Sequence, residues 1–348
     1  MHVEEAKRKD ALRRRRANIL ITALAVSAVA AYFISVSLGS VRLSVSEVWE
    51  GIFGSGSWGT KVIVHDIRAP RVLGAAIAGA ALSLGGMAMQ ALFKNPMASP
   101  SVLGISSGAS FGAAFYIACG SAIVLSSWGT VLSAFSMALM TLLLVYALSY
   151  RRNGGVRTTM LLLAGMATSA MFSGLTSMIE FFSDEDTVTS IVFWMLGSFD
   201  GCGWNDDSVM LISFLAGSSL ILLNLRELNL LTAGESKARA LGVNVRRVRL
   251  MLLLGSALLV AGTVSVCGVI SFVGLIIPHI FRSLAGPEHK RLAPLCILGG
   301  ALFMMLIDTF ARSAMPPYEL PVSTITSVIG APFFLWILRS RKNDIWRN

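Results

Sequence analysis

Charge is what this chain has least of. Only 14% of its 348 residues are Asp, Glu, Lys or Arg, whereas an ordinary soluble domain carries about 25%. That scarcity excludes a soluble globular protein. The basic excess, +10 overall, does not imply nucleic acid. Lys and Arg cluster at the ends of apolar stretches, where orientation in a membrane explains them. Cysteine is also scarce: Cys119, Cys202, Cys267 and Cys296 show no CxxC spacing, so neither a disulfide framework nor a zinc site is implied. No G-x-x-x-x-G-K-[ST] run occurs, which excludes nucleotide binding in a P-loop. The apolar segments also lack the chain of carboxylates that a proton-coupled carrier needs. No catalytic residue and no metal ligand set is expected.

Long hydrophobic runs are what the chain has instead. Windows of about 20 apolar residues fall near 18–37, 71–93, 101–119, 122–148 and 158–181, then near 208–225, 250–266, 270–283, 291–311 and 322–338. The reading is an all-α polytopic membrane protein of about ten transmembrane helices, with a basic tail over 1–17 and one transmembrane domain over 18–348. The N-terminus has the basic start of a secretory signal. Its apolar part of about 20 residues exceeds the usual 7–15-residue core of a signal, so it is read as a retained first span. Ten spans put both termini on one side, taken as cytoplasmic. Of the 29 Lys and Arg, only Arg42, Lys61, Arg68, Arg71 and Arg312 then fall outside, which satisfies the positive-inside rule. The stretch "EFFSDEDT" after the fifth span is read as an acidic outer loop. Arg68 and Arg71 have two readings: interfacial anchoring by snorkelling, or a basic outer surface that receives an acidic partner.

The spans are interrupted in places. In "FKNPMASPSVLG", Asn95, Pro96 and Pro100 stop the second helix and force irregular backbone. Such backbone survives at membrane depth only when covered by protein or lining a wet cavity. Gly104, Gly108 and Gly112, four residues apart, form a smooth ridge suited to helix packing. "GISSG" also fits the G-x-S-x-G of hydrolases, but that motif needs a strand–turn–helix context, which an apolar helix does not supply. "SFVGLIIPHIF" and "PPYELPVSTITSVIGAPFF" repeat the Gly/Pro interruptions in the second half, a pattern found in transporters. Asp308 and Arg312 form an i, i+4 pair, and a lone His279 reads as structural. The longest inner loop, 226–249, has Gly234 and Gly242 flanking helix formers. That arrangement suits a short helix that docks into a partner's groove.

Taken together, "RAPR", "GAALSLGGMAMQALFKNPMASPSVLGISSGA", "ALG" in the 226–249 loop, "GVISFVGLIIPHIFR" and "ELPVSTITSVIGAPFFLWIL" resemble the permease subunits of the iron-siderophore, haem and cobalamin importers. These are ATP-binding-cassette transporters of the type II importer class. Alanine in place of leucine in R-L-P-R and methionine in place of leucine in N-P-L-A are mild departures. The resemblance implies a homodimer of ten-span subunits in the cell membrane, two ATPase subunits that bind ATP and magnesium, and an extracytoplasmic substrate-binding protein. It implies no cofactor on this chain and no covalent chemistry. Carried over by motif, Arg68, Arg71 and Arg312 receive glutamates of the binding protein. Glu235, Ala238, Leu241 and Gly242 contact the ATPase, and Thr158 and Thr159 narrow the inner gate unless they simply cap a helix. Ferric siderophore is the first expectation for cargo, with haem or cobalamin as alternatives. Other readings are an ion-coupled secondary carrier and a heterodimer with a related permease.

Overall fold

The computed structural model describes residues 2–39, 43–53, 57–120, 128–151, 155–156 and 158–340. Helix α1 (His2–Ser37) takes in the basic tail. Short helices α2 (Val45–Phe53) and α3 (Trp58–Lys61) follow, and α3 runs through a π-helical turn, Val62–Arg68, into α4 (Ala69–Leu92). A 3-10 turn, Pro100–Leu103, leads to α5 (Ile105–Cys119) and α6 (Gly129–Ser149). A two-residue antiparallel ladder, β1 (Tyr150–Arg151) with β2 (Gly155–Val156), then precedes α7 (Thr158–Phe182) and α8 (Glu185–Leu196). Helix α9 (Trp204–Leu222) bends by 54° into α10 (Leu225–Thr232). The remaining helices are α11 (Glu235–Ala240), α12 (Val245–Cys267), α13 (Val273–Ala285), α14 (His289–Ser313) and α15 (Val322–Ser340). Arg42, Arg152, Arg157, residues 341–348 and the start of the 122–148 segment lie outside the described residues.

Among the described residues, six helical stretches are long and apolar enough to cross a membrane, and the bent pair α9–α10 makes a seventh. Helices α5, α13 and α15 are apolar but shorter. Each of the ten expected segments thus contains a helix, while length and composition alone carry six or seven of them across.

Two expectations are corrected. The acidic stretch after α7 is not a loop. Asp184 Oδ1 accepts from the Thr187 N–H at 2.8 Å and caps α8, and those hydrogen bonds hold its carboxyl below the usual carboxylate range. The 226–249 loop is also mostly helix, because α10 continues α9 past its bend.

The core is organised by α4. Its sequence, "APRVLGAAIAGAALSLGGMAMQAL", is dominated by Ala and Gly, and nearly every residue is buried. Small side chains let neighbouring backbones approach closely, which is how helices associate where lipid supplies no hydrophobic drive. At Gly79 the contact is nearly backbone to backbone: a Cβ there would lie 2.1 Å from the carbonyl oxygen of Gly300 in α14. This packing leaves α4 in the middle of the bundle, with Arg71 near one end and Gln90 near the other. Its 24 residues rise about 1.5 Å each, so the two ends are a membrane's thickness apart.

Candidate functional site

The breaks that follow α4 and α12 meet. After α4, Lys94 adopts a left-handed φ of 50°. The Asn95 N–H donates to Gln90 O at 3.1 Å, and Asn95 Oδ1 accepts from the Met97 N–H at 2.9 Å. The chain therefore turns at Asn95–Pro96, and Pro100 opens the 3-10 turn. Gly104, at φ 78°, turns the chain into α5. The expected ridge of three glycines is corrected here, because Gly104 sits beside Gly165 and Ser169 of α7 rather than along α5. Gly108 does pack as expected: a Cβ there would lie 1.9 Å from Thr141 Oγ1 of α6.

In the second half, Phe272 takes φ 66° between α12 and α13. Both breaks line one cavity of about 230 Å³, with Ser99, Pro100 and Ser101 from the first and Ser271 and Phe272 from the second. Ser106, Val269 and Ser271 also line an adjoining groove of about 400 Å³. There, hydroxyls of α5 (Ser107, Ser110) and α7 (Ser173, Ser177) join Glu180. Glu180, read from the sequence as the start of an acidic outer loop, lies instead within α7. Ser106 follows a 3-10 turn and not a strand, so no nucleophile elbow exists. Among the described residues, no group of His, Cys, Asp and Glu could hold a metal ion.

The three arginines expected at a docking surface do gather at one end of the bundle, but they are buried, at 5%, 6% and 8% exposure for Arg68, Arg71 and Arg312. Arg68 Nη1 donates to the carbonyls of Val36 at 2.9 Å and Ser37 at 3.1 Å. Arg71 Nε and Nη2 both donate to Asp308 Oδ1 at 3.0 Å. Its Nη1 and Nη2 also fork onto Glu319, at 3.0 and 2.8 Å. Asp200 stands 3.5 Å from Nη1. Arg312 Nη2 donates to Ser35 O, and its Nε lies 3.5 Å from Asp308 Oδ2. The expected Asp308–Arg312 pair is thus present, yet the shorter contacts of Asp308 go to Arg71, 237 positions away. As placed, these guanidiniums hold the helices together instead of standing free. Asp207 is a missed group, a buried carboxylate 3.7 Å from the Cys202 thiol.

At the other end, α11 forms where glycine flanks it, with Gly234 and Gly242 at φ 134° and 82°. Glu235 pairs with Arg249 of α12 and, more loosely, with Arg239 at 3.5 Å. Ala238 is fully buried while Leu241 is 67% exposed. Ala238 is therefore corrected from a contact residue to the anchor that seats α11, and Leu241 and Gly242 are the exposed members of the set. Thr158 and Thr159 open α7 at this same end, half-buried and exposed respectively. Arg246 lies over the nearby Tyr150 ring at 5.0 Å and ties α12 to the end of α6.

Crowded apolar helices, paired helix breaks around a cavity and a short exposed helix at one end define an all-helical integral membrane protein of the cell membrane. The chain belongs to the FecCD transport family, whose model matches residues 27–340. It is 40% identical to the cobalamin import system permease protein BtuC of Halobacterium salinarum, over 81% of this chain and 74% of that one. To the hemin transport system permease protein HmuU of Yersinia pestis it is 38% identical, over 88% and 92%. A solved structure titled as an inward-facing conformation of a metal-chelate type ABC transporter superposes with a TM-score of 0.83 at 35% identity, covering 93% of this chain and 99% of that one.

Proposed function

We propose that this chain is the permease subunit of an ATP-driven importer of metal-chelate compounds, with ferric siderophore as first cargo and haem or cobalamin as alternatives. The observation that carries the reading is the meeting of the two helix breaks at one cavity that continues into a hydroxyl-lined groove. Irregular backbone placed there lines a path, as in transporters built from broken helices. Serine and threonine hydroxyls offer a polar chelate weak, replaceable hydrogen bonds, so cargo passes without being trapped. Gly104 and Gly108 set the turn and close packing that hold the path's wall, and Thr158 and Thr159 narrow its inner mouth.

In this reading ten helices cross the membrane, both termini are cytoplasmic, and two copies enclose the path. Helix α7 supports a paired assembly, leaving Met166, Met178 and Phe181 exposed along its length. Two partner ATPases bind ATP and magnesium and take α11 into a cleft, with Leu241 as the apolar contact and Glu235 holding the helix in place. Closure of the ATPases moves α11, and the spans alternate between outward and inward opening. The substrate-binding protein lands at the opposite end. Arg68 and Arg312 stay braced there, while Glu319, 39% exposed at its side chain, swings off Arg71 so that a carboxylate of the binding protein takes its place. Such charge exchange sets register and encounter rate. An ion-coupled carrier has no use for α11.

Whole-cell uptake of labelled ferric siderophores, haem and cobalamin, with the gene intact and deleted and with ATP depleted, tests this. ATP-dependent loss of one cargo on deletion is expected and names the substrate. Unchanged uptake of all of them overturns the reading.

A further inference from the structure

The hydroxyl-lined groove carries charge of one sign. Glu180 is the single ionisable side chain among its described lining residues, which are otherwise serines, Thr176 and the apolar Met195 and Val269. The adjoining cavity of about 230 Å³ has no charged residue in its lining. Glu180 is half-buried, and its carboxylate makes no hydrogen bond or ion pair with any described residue. It stands in the last turn of α7, which ends at Phe182, where the carbonyl end of the helix adds negative potential of its own. Arg71, at the same end of the bundle, is engaged by Asp308 and Glu319 and does not line the groove.

Hydroxyls both donate and accept hydrogen bonds, so they meet anionic and cationic chelates alike. The sign of the groove is therefore set by Glu180. A charge in a cleft with low-dielectric walls focuses its field along the cleft, and no cation in the lining cancels this one. We propose, on the reading of this groove as the import path, that Glu180 is its specificity-determining residue, admitting chelates of neutral or positive charge and opposing anionic ones. A ferric hydroxamate suits such a path, because hydroxamates neutralise iron(III) and a pendant ammonium makes the complex cationic. Cyanocobalamin is neutral as well. A ferric catecholate keeps a net negative charge, and haem presents its propionates. The groove thus favours hydroxamate over catecholate among siderophores, and cobalamin over haem among the alternatives.

Uptake driven by ATP is measured in cells that hold the full-length chain with its partner ATPase and binding protein, with the gene intact and deleted. The probes are labelled ferrioxamine B, cyanocobalamin, haem and a ferric catecholate. Gene-dependent uptake of ferrioxamine B or cyanocobalamin is expected. Gene-dependent uptake of haem or the catecholate overturns the charge filter and leaves the importer reading standing, whereas no gene-dependent uptake of any probe overturns both. The imported compound is then competed with its own acid, N-succinyl ferrioxamine or the monocarboxylic acid of cobalamin. The uptake ratio of compound to acid is followed through Glu180→Gln and Glu180→Lys. Native protein and variants share one binding protein, so its preference cancels from the change in ratio. The ratio should fall about tenfold in Glu180→Gln, the order of one charge–charge interaction at a half-buried site, and further in Glu180→Lys. Glu180→Gln keeps the shape of the side chain, so it carries the test even where the lysine variant fails to fold. A ratio unchanged in Glu180→Gln overturns the proposal.

Discussion

The two ends of α4 carry cationic groups in different surroundings. Near its start, Arg71 is enclosed by Asp308, Glu319 and Asp200, and Asp308 also faces Arg312. Just past its end, Lys94 and Arg282 border a cavity with no carboxylate, next to a histidine nitrogen without a partner among the described residues. One end uses charge to fix how α1, α4 and α14 meet. The other end carries α11, whose Leu241 stands exposed. A closed network reports on architecture, and an exposed helix reports on function.

The largest effect expected from breaking this comparison is at Asp308. Asp308→Asn removes the one carboxylate that is fully buried among the described residues from between two buried arginines. It should cost about 3–5 kcal/mol, read as thermal or denaturant unfolding in detergent. Next is the packing that holds the path's wall. Gly108→Val drives a side chain into Thr141 and should cost about 1–3 kcal/mol by the same measurement. At the open end the effects should fall on association and not on folding. Leu241→Ala should weaken ATPase capture by roughly 1–2 kcal/mol, measured by copurification with the partner, with an unfolding temperature like that of the parent. The smallest effect is at the partly exposed Glu319. Glu319→Gln should cost under about 1 kcal/mol and should tighten docking of the binding protein by freeing the Arg71 fork, measured by equilibrium binding.

Much of this was legible in the sequence. The apolar windows located ten helical segments, since 20-residue periodic runs leave little choice of structure. Gly234 and Gly242 announced a short helix between them, and Asn95–Pro96 announced a break because proline cannot continue α4. What stayed hidden depended on distance along the chain. Nothing in local spacing joins Arg71 to Asp308 or Gln90 to Arg282, so a surface role and an internal one looked alike for the arginines. Burial misled at Ala238, because six residues are too few to show which face of α11 turns inward. Helix α8 was missed even though "SDEDT" contains its cap, since the acidic composition read as loop. Asp207 was passed over because it stands beside Asp206 at the start of an apolar run, and Glu180 was read as part of the acidic stretch that follows it.

The coupling energy between Arg71 and Asp308 tests most directly the claim that this end is closed on itself. Arg71→Met, Asp308→Leu and the double variant are compared by unfolding in detergent. If the pair forms a buried network, each single variant leaves its partner one counter-charge short, and the double variant is less destabilised than the sum of the two by more than about 1 kcal/mol. Additive losses would contradict it and return Arg71 to a free surface charge.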